Sequence, residues 1–404
     1  MQTAPGSSPR IAVVGGGIGG LAAAGFLRKY GLQARVFEQA AELTEVGAGV
    51  VAAPNAVRLL RSLGGFEAFE RTAVPLTAAW QFQRWEDGTV LSSESLVPAC
   101  EELYGEKTYS AHRADLLAAV RAGVPDEWVT LGARAVDVTP VGDHYRIDLA
   151  DGSSHEADVV VAADGVHSIV RERFASPQEP EPSGIVAYRS IVPAASAPAG
   201  ALDPVHTLWL GPDHHFVHYP VSAGRQVNVV AFGPAGSTTD DSWSAETSVK
   251  QFRAEFDGWD PRVLALIDAS DRVGRWDLLD RPPLPRWSFD GVTLLGDAAH
   301  PQFPFYAQGA AQAIEDAVTL AVTLSTTPED PAGALRRYEA LRLERTARIQ
   351  EVSHGRVHVN HLPDGDAQRE RDARLAIGDP LRQNGWIYGH DAEQTARRAE
   401  GLEG

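Results

Sequence analysis

Residues 10–38 read Arg10-Ile-Ala-Val-Val-Gly-Gly-Gly-Ile-Gly-Gly-Leu-Ala-Ala-Ala-Gly-Phe-Leu-Arg-Lys-Tyr-Gly-Leu-Gln-Ala-Arg-Val-Phe-Glu38. Residues 10–14, an arginine followed by the apolar run Ile-Ala-Val-Val, predict a buried strand, Leu21 to Tyr30 carries the spacing of a helix stopped at Gly31, and Gln33 to Glu38 gives a second strand. This is a βαβ unit. Its first turn, Gly15-Gly16-Gly17-Ile18-Gly19-Gly20, has the GxGxxG spacing. Glycine lets the backbone turn tightly there and approach a pyrophosphate, whose charge the helix N-terminus stabilises. Glu38 ends the second strand 18 residues past Gly20, where a carboxylate can accept hydrogen bonds from ribose hydroxyls. A bare GxGxxG is a weak signal, and its plain alternative is an empty glycine-rich turn. The strand, turn, helix, strand and acid in sequence point instead to a dinucleotide site.

Outward from this unit, a helix is expected over Asn55–Leu63, strands and turns over 73–109, a helix over Arg113–Arg121, and short strands ending in the apolar run Ala157–Ala162. After the proline-rich linker Pro177–Pro182, strands dominate to about Phe232. Gly291–Leu295 reads as a strand returning to the first unit, followed by helices near Gln308–Ser325 and Pro331–Val352 and a polar, partly helical tail. The expected class is α/β. A Rossmann-like dinucleotide-binding domain (1–72, 109–183 and 289–352) is interleaved with a mostly antiparallel β domain (73–108 and 184–288), and a helical C-terminal region covers 353–404.

Composition narrows the function. With 36 Lys and Arg against 54 Asp and Glu, the net charge of −18 repels nucleic acid and anionic membranes, so any anionic ligand must be held by local donors. Cys100 is the only cysteine, which excludes an intramolecular disulfide and a thiolate metal site and fits a reducing compartment. The uncharged stretch Ile11–Leu27 is too short and glycine-rich for a membrane span. The cytoplasm is the expected location.

Two more motifs follow the first. Asp158-Val-Val-Val-Ala-Ala-Asp164-Gly165-Val166-His167-Ser168, with Arg171 after it, would by itself be a buried strand ending in an Asp-Gly turn. Gly296-Asp297-Ala-Ala-His300-Pro301, followed by Pro304 and Ala307-Gln308-Gly309-Ala310-Ala311, places a carboxylate where a strand ends, at the edge where α/β sheets bind ligands. It then opens a helix whose N–H groups can receive negative charge. Glu315 and Asp316 read as an ordinary helix face or packing contact.

Three such motifs in this order resemble the single-component FAD-dependent aromatic hydroxylases, the p-hydroxybenzoate hydroxylase-like monooxygenases, with the flavour of salicylate and 6-hydroxynicotinate hydroxylases. The resemblance extends to Gly47-Ala-Gly49-Val50 with Pro54-Asn55-Ala56, to His112-Arg113-Ala-Asp-Leu116, to Tyr188-Arg189 and to Trp386-Ile-Tyr388-Gly-His-Asp391. It implies that the first domain binds FAD and the second binds substrate. Gly15, Gly17 and Gly20 would hold the FAD pyrophosphate, Glu38 its ribose, Arg113 the ribityl-phosphate region and Asp297 a ribityl hydroxyl. Pro304 and the amides of Gly309, Ala310 and Ala311 would border the isoalloxazine, and Asp164 belongs to a motif tied to both FAD and nicotinamide binding. Thr44 stands where relatives often carry an arginine.

The implied activity is a monooxygenase. NADH or NADPH, bound transiently, reduces FAD; reduced flavin takes up O2; and a C4a-hydroperoxide delivers oxygen to an activated ring such as a phenolic acid, a hydroxypyridine or a larger phenolic metabolite. The partners are therefore a small aromatic substrate, O2 and NAD(P)H. No second Rossmann unit is expected, because Gly47-Ala-Gly49-Val-Val-Ala52 follows a polar segment and precedes no strand ending in an acid. The same fold also supports epoxidation, Baeyer–Villiger oxidation and halogenation. A halogenase Trp-x-Trp-x-Ile is missing, since Trp80 and Trp85 are five apart. A non-catalytic flavin-fold binding module would leave the glycine turn, Glu38, Arg113 and Asp297 idle.

Alternation puts His215, Val217 and Tyr219 on one strand face and His214, Phe216 and His218 on the other. Some relatives carry His-x-x-x-Tyr on this strand beside the substrate, which makes His215 and Tyr219 the candidate catalytic pair; the alternative is that they are ordinary residues of the sheet. Of the two, His215 has the better ordinary pKa for a base, near 6.5 against about 10. His354, His358 and His361 would share a helix face, read as a solvated or interface face. No metal is expected.

Overall fold

A computed structural model describes residues 8–43, 49–235 and 244–402 of the chain. Four parallel strands form the centre of a six-stranded sheet, in the order Val292–Leu294, Val159–Ala162, Ile11–Val14 and Ala34–Phe37. Val129–Thr130 adds a parallel edge, and Ser288–Phe289 an antiparallel one. Ile11–Val14 and Val159–Ala162 are buried throughout, as parallel strands covered on both faces must be. In register, Val14 lies opposite Phe37 and Ala162, and Ala162 opposite Leu294. Gly15, Glu38, Ala163 and Leu295 therefore leave the sheet side by side, and motifs far apart in sequence meet at one C-terminal edge.

The helix Ile18–Lys29 packs between this sheet and the helix Gly309–Thr326. Its entry turn cannot take a side chain. Gly15 has φ +104°, and a Cβ on it would stand 2.3 Å from the Ala163 carbonyl oxygen. A Cβ on Gly20 would stand 1.9 Å from the Gly15 carbonyl oxygen. Both contacts are with backbone, which cannot swing aside.

The second large sheet has eight strands, ordered Ser244–Thr247, Val273–Asp280, Glu181–Pro193, Gln226–Pro234, His215–Val221, Val205–Leu210, Ala78–Arg84 and Val90–Ser95. All its pairs are antiparallel except Val205–Leu210 with Ala78–Arg84. One face packs Trp209, Phe216, Phe252 and Phe256 into a core of its own. The first strand after the proline-rich stretch begins at Glu181, so that linker is shorter than expected. Gly49–Ala52 pairs antiparallel with Tyr109–His112 and is no nucleotide turn; Thr44, Gly47 and Ala48 lie outside the described residues.

The helix expected to stop at Val352 runs unbroken from Pro331 to Asn360. Gly355 costs it about 1 kcal/mol, which its neighbours offset: Gln350 Nε2 donates to Pro301 O at 2.7 Å, His354 Nε2 lies 2.8 Å from Asp280 Oδ1, and Ser353 and Asn360 are buried. Four shorter helices follow, Asp366–Ile377, Pro380–Gln383, Gly385–Tyr388 and Ala392–Ala399. This tail is anchored where Trp80 Nε1 donates to Tyr388 Oη at 3.0 Å and Arg345 donates to the carbonyls of Trp386 and Ile387. Among the described residues no helix is long and apolar enough to cross a membrane.

Candidate functional site

A cavity of about 610 Å³ lies between the C-terminal edge of the parallel sheet and the second face of the eight-stranded sheet. Its wall includes Gly15, Gly17, Glu38, Arg113, Asp164, His215, Tyr219, Asp297, Pro304, Gly309 and Ala310. Two expected contacts are absent from that wall. Gly20 is buried under the turn, where it lets the helix meet the strand, and Ala311 is turned into the core one step along its helix.

At one end, Glu38 is fixed by backbone donors: Gly16 N–H to Oε2 at 2.5 Å and Ala40 N–H to Oε1 at 2.7 Å. Lone pairs remain on both oxygens for a further donor. The helices Ile18–Lys29 and Gly309–Thr326 both begin at the cavity without a side-chain cap or an acid in the first turn, so their positive ends are open to an anionic ligand. A Cβ on Gly17 would meet nothing within 4 Å, which marks open space above the turn. Asp164 Oδ2 accepts from Ile169 N–H at 3.0 Å while its Oδ1 is buried with no protein partner. Burial pushes its carboxyl up to about 6, against the pull of the Ser168 hydroxyl. Asp297 is exposed and lines the cavity; the protein packed around it raises its carboxyl, partly offset by Arg113 and His300. Gln302 also lines the cavity, with both amide atoms unpartnered. A carboxylate oxygen and an amide left without partners, beside two open helix ends, fit a polar, anionic cofactor of dinucleotide size.

The motifs brace one another from behind. Arg171, buried, donates from Nη1 to the carbonyls of Ala298 and Ala299 at 3.0 and 2.9 Å, tying the second motif to the third. Glu315 and Asp316 are fully buried, unlike an ordinary helix face. Asp316 Oδ2 accepts from Gly296 N–H at 2.9 Å and lies 2.6 Å from His300 Nε2, while its Oδ1 accepts from Arg342 Nε at 2.7 Å. Glu315 accepts from Arg342, Arg345 and Asn55 at 2.6 to 2.8 Å. Neither acid reaches the cavity wall. The signal was present in sequence: Ala311–Leu324 is apolar almost all round, and two acids in a helix buried on every side must be paired.

The other end of the cavity is the sheet face. Arg189, Val230, Val217 and Leu208 stand in one row across four strands. Phe232 and His215 flank it on one side, Asn228 and Tyr219 on the other, with the His206 ring 5.1 Å from that of Tyr219. Trp80 and Phe305 complete the enclosure. The expected alternation holds, since Phe216 and His218 lie on the opposite face near Trp209. Of the wall residues, Trp80, His206, Leu208, Asn228, Val230, Phe232, Gln302 and Phe305 were not legible in the sequence, because strand register and the chain following Asp297 bring them together.

The reading of His215 as a base by its ordinary pKa needs correction. It is 1% exposed, stacked on Phe232 at 4.5 Å, and burial holds it well below its ordinary value, with His361 and His214 acting in the same sense. Its Nδ1 lies 2.6 Å from His361 Nε2. The Tyr219 phenol is pushed above its ordinary range by burial, which Arg189 only partly opposes. His354, His358 and His361 part company: His354 meets Asp280, His358 is exposed and His361 meets His215. His361 is thus part of the site's surroundings and not of a solvated face.

Comparison with known proteins gives the following. The family described as FAD binding domain matches residues 9–353. The 3-amino-4-hydroxybenzoate 2-monooxygenase PtmB3 of Streptomyces platensis is 40% identical over 390 residues, covering 96% of this chain and 98% of that protein. The 6-hydroxynicotinate 3-monooxygenase of Pseudomonas fluorescens is 38% identical over 352 residues, 86% of this chain and 91% of that one. A salicylate hydroxylase solved as a substrate complex superimposes with a TM-score of 0.81 at 27% identity, covering 97% and 98% of the two chains.

Proposed function

The chain belongs to the FAD-binding family of aromatic monooxygenases, and from that premise we propose that it hydroxylates a one-ring aromatic acid bearing an ionisable hydroxyl, such as a hydroxybenzoate or hydroxypyridine carboxylate, with NADH or NADPH as reductant. One observation carries the reading: the motif-bearing sheet edge and the aromatic-walled sheet face enclose a single cavity. When bound, FAD supplies electron transfer and the activation of O2.

The protein's part is to hold and to position. Gly15, Gly17 and the first helix N-terminus receive the pyrophosphate, Glu38 the ribose, Arg113 and Asp297 the ribityl chain, with Asp164 nearby; Pro304, Gly309 and Ala310 border the ring system. The row Val230, Val217 and Leu208 offers an apolar floor for a flat ring, and Arg189 at its end places a cation where a carboxylate would lie. His215 and Tyr219 on either side reach the ring hydroxyl. The enclosure excludes water, which keeps activated oxygen from being lost.

The purified protein is expected to be yellow, and 3-amino-4-hydroxybenzoate, 6-hydroxynicotinate or 3-hydroxybenzoate is expected to stimulate NAD(P)H oxidation, with a neutral product about 16 mass units heavier where oxygen replaces a ring hydrogen, or about 28 lighter where it enters at the carboxyl-bearing carbon and CO2 leaves. A colourless protein, or one that oxidises NAD(P)H equally with and without every such compound, would refute the reading. Asp297→Ala is expected to weaken FAD binding roughly 10- to 100-fold, the worth of a hydrogen bond to a charged group. Equilibrium dialysis showing undiminished affinity would remove that contact.

A further inference from the structure

We propose that His361 is the outer half of a two-histidine relay that carries the proton of the substrate hydroxyl from His215 out to solvent; this rests on the hydroxylase reading of the cavity. A phenolate accepts electrophilic oxygen faster than a phenol, so a proton has to leave a site built to exclude water. His215 is poorly placed to keep it, because an imidazolium enclosed by Phe232, Phe305 and His361 loses its hydration. It need not keep it. Imidazole can take a proton on one nitrogen and release another from the second. With Nδ1 2.6 Å from His361 Nε2, Nε2 is the nitrogen left for the cavity.

His361 is held in place for this. It caps the helix Pro331–Asn360, its N–H donates to Val357 O at 3.2 Å, and its carbonyl accepts from Asp213 N–H at 3.2 Å. It is partly exposed where His215 is not. Burial lowers its pKa to about 4, with His214 acting in the same sense and Asp213 opposing, so it too passes the proton on and does not keep it; Glu255 lies 3.5 Å from His214. Each transfer balances without any change in electron count. The substrate O–H bond breaks as Nε2–H forms on His215, the Nδ1–H of His215 breaks as Nε2–H forms on His361, and Nδ1–H of His361 passes to water. His215 is neutral before and after with its tautomer exchanged, and the substrate is left as phenolate. When the hydroxylated product takes a proton back at its oxygen, the relay runs in reverse and resets.

The flavin-loaded protein labelled with 15N-histidine tests the arrangement without any substrate. His215 is expected neutral with its proton on Nδ1 and His361 Nε2 as acceptor, the signals being assigned with His361→Gln; the opposite tautomers, with His361 donating to His215, would overturn the relay. Kinetics with 3-amino-4-hydroxybenzoate, 6-hydroxynicotinate and 3-hydroxybenzoate provide the second arm. Glutamine preserves a hydrogen-bonding side chain but passes no proton, so His361→Gln is expected to keep its FAD and lose at least about 10-fold in product formed per NAD(P)H. Added imidazole should restore much of the loss in His361→Ala. Unchanged coupling in His361→Gln removes the relay and leaves the hydroxylase intact, whereas an unsubstituted protein that hydroxylates none of the three removes both.

Discussion

Asp316→Ala is expected to destabilise the protein by about 3–5 kcal/mol, the usual cost of breaking a buried ion pair from one side. The substitution leaves Arg342, which is fully buried, with only Glu315 and Gln312. It also strands His300 Nε2 and the Gly296 N–H, both of which Asp316 holds. Gly296 precedes Asp297, so FAD retention should fall along with the urea midpoint although Asp316 lines no part of the cavity. The pH dependence has a defined sign. Burial pushes the Asp316 carboxyl up, but His300 and Arg342 outweigh it and leave the group below its ordinary value. A depressed carboxylate contributes stability that is present above its unfolded pKa, near 3.9, and is lost as pH falls through the folded value. The loss of stability below about pH 4 should therefore be shallower in Asp316→Ala than in the parent. A variant with the parent's midpoint and FAD content would show that Arg342 finds compensation elsewhere.

How much of this was legible in the sequence depends on the kind of order involved. The βαβ unit and the other two motif strands could be read because their apolar runs end in Gly or Asp at the point where the sheet ends, and this local chemistry is written in consecutive residues. The alternation of His215, Val217 and Tyr219 was legible for the same reason. What failed was long-range. Nothing near His361 announces His215, 146 residues away in sequence, and nothing in Gly355 announces that Gln350, His354 and Asn360 would hold the helix together through it. The pairing of Glu315 and Asp316 with Arg342 and Arg345 lies between these cases. Two acids on an apolar helix demanded cations, but their identity required the packing of Pro331–Asn360 against Gly309–Thr326.

Tyr219→Phe is expected to slow hydroxylation roughly 100-fold or more and to raise wasted peroxide, with FAD binding unchanged. General acid–base contributions are commonly of that size. The ring itself is structural: a Cβ on Gly49 would come within 2.7 Å of Tyr219 Cε2, and Asn228 Oδ1 accepts the Gly49 N–H at 2.7 Å, so phenylalanine preserves the packing and deletes only the hydroxyl. That hydroxyl stays protonated at working pH, because burial raises its pKa. On the proposed reading Tyr219 would act as a hydrogen-bond donor to the substrate oxygen, stabilising it as it becomes anionic, while the proton leaves toward His215 on the other side of that hydroxyl. This division of labour has a consequence that a purely structural tyrosine would not share. Substrates whose ring hydroxyl is more acidic need less help in reaching the anion, so the penalty of Tyr219→Phe and of His215→Ala should shrink as substrate acidity rises. Rates measured across a series of ring-substituted hydroxybenzoates would give that slope. A penalty independent of substrate acidity would make both residues shapers of the pocket only, and parental rate and coupling in both variants would move the chemistry to other residues of the cavity wall.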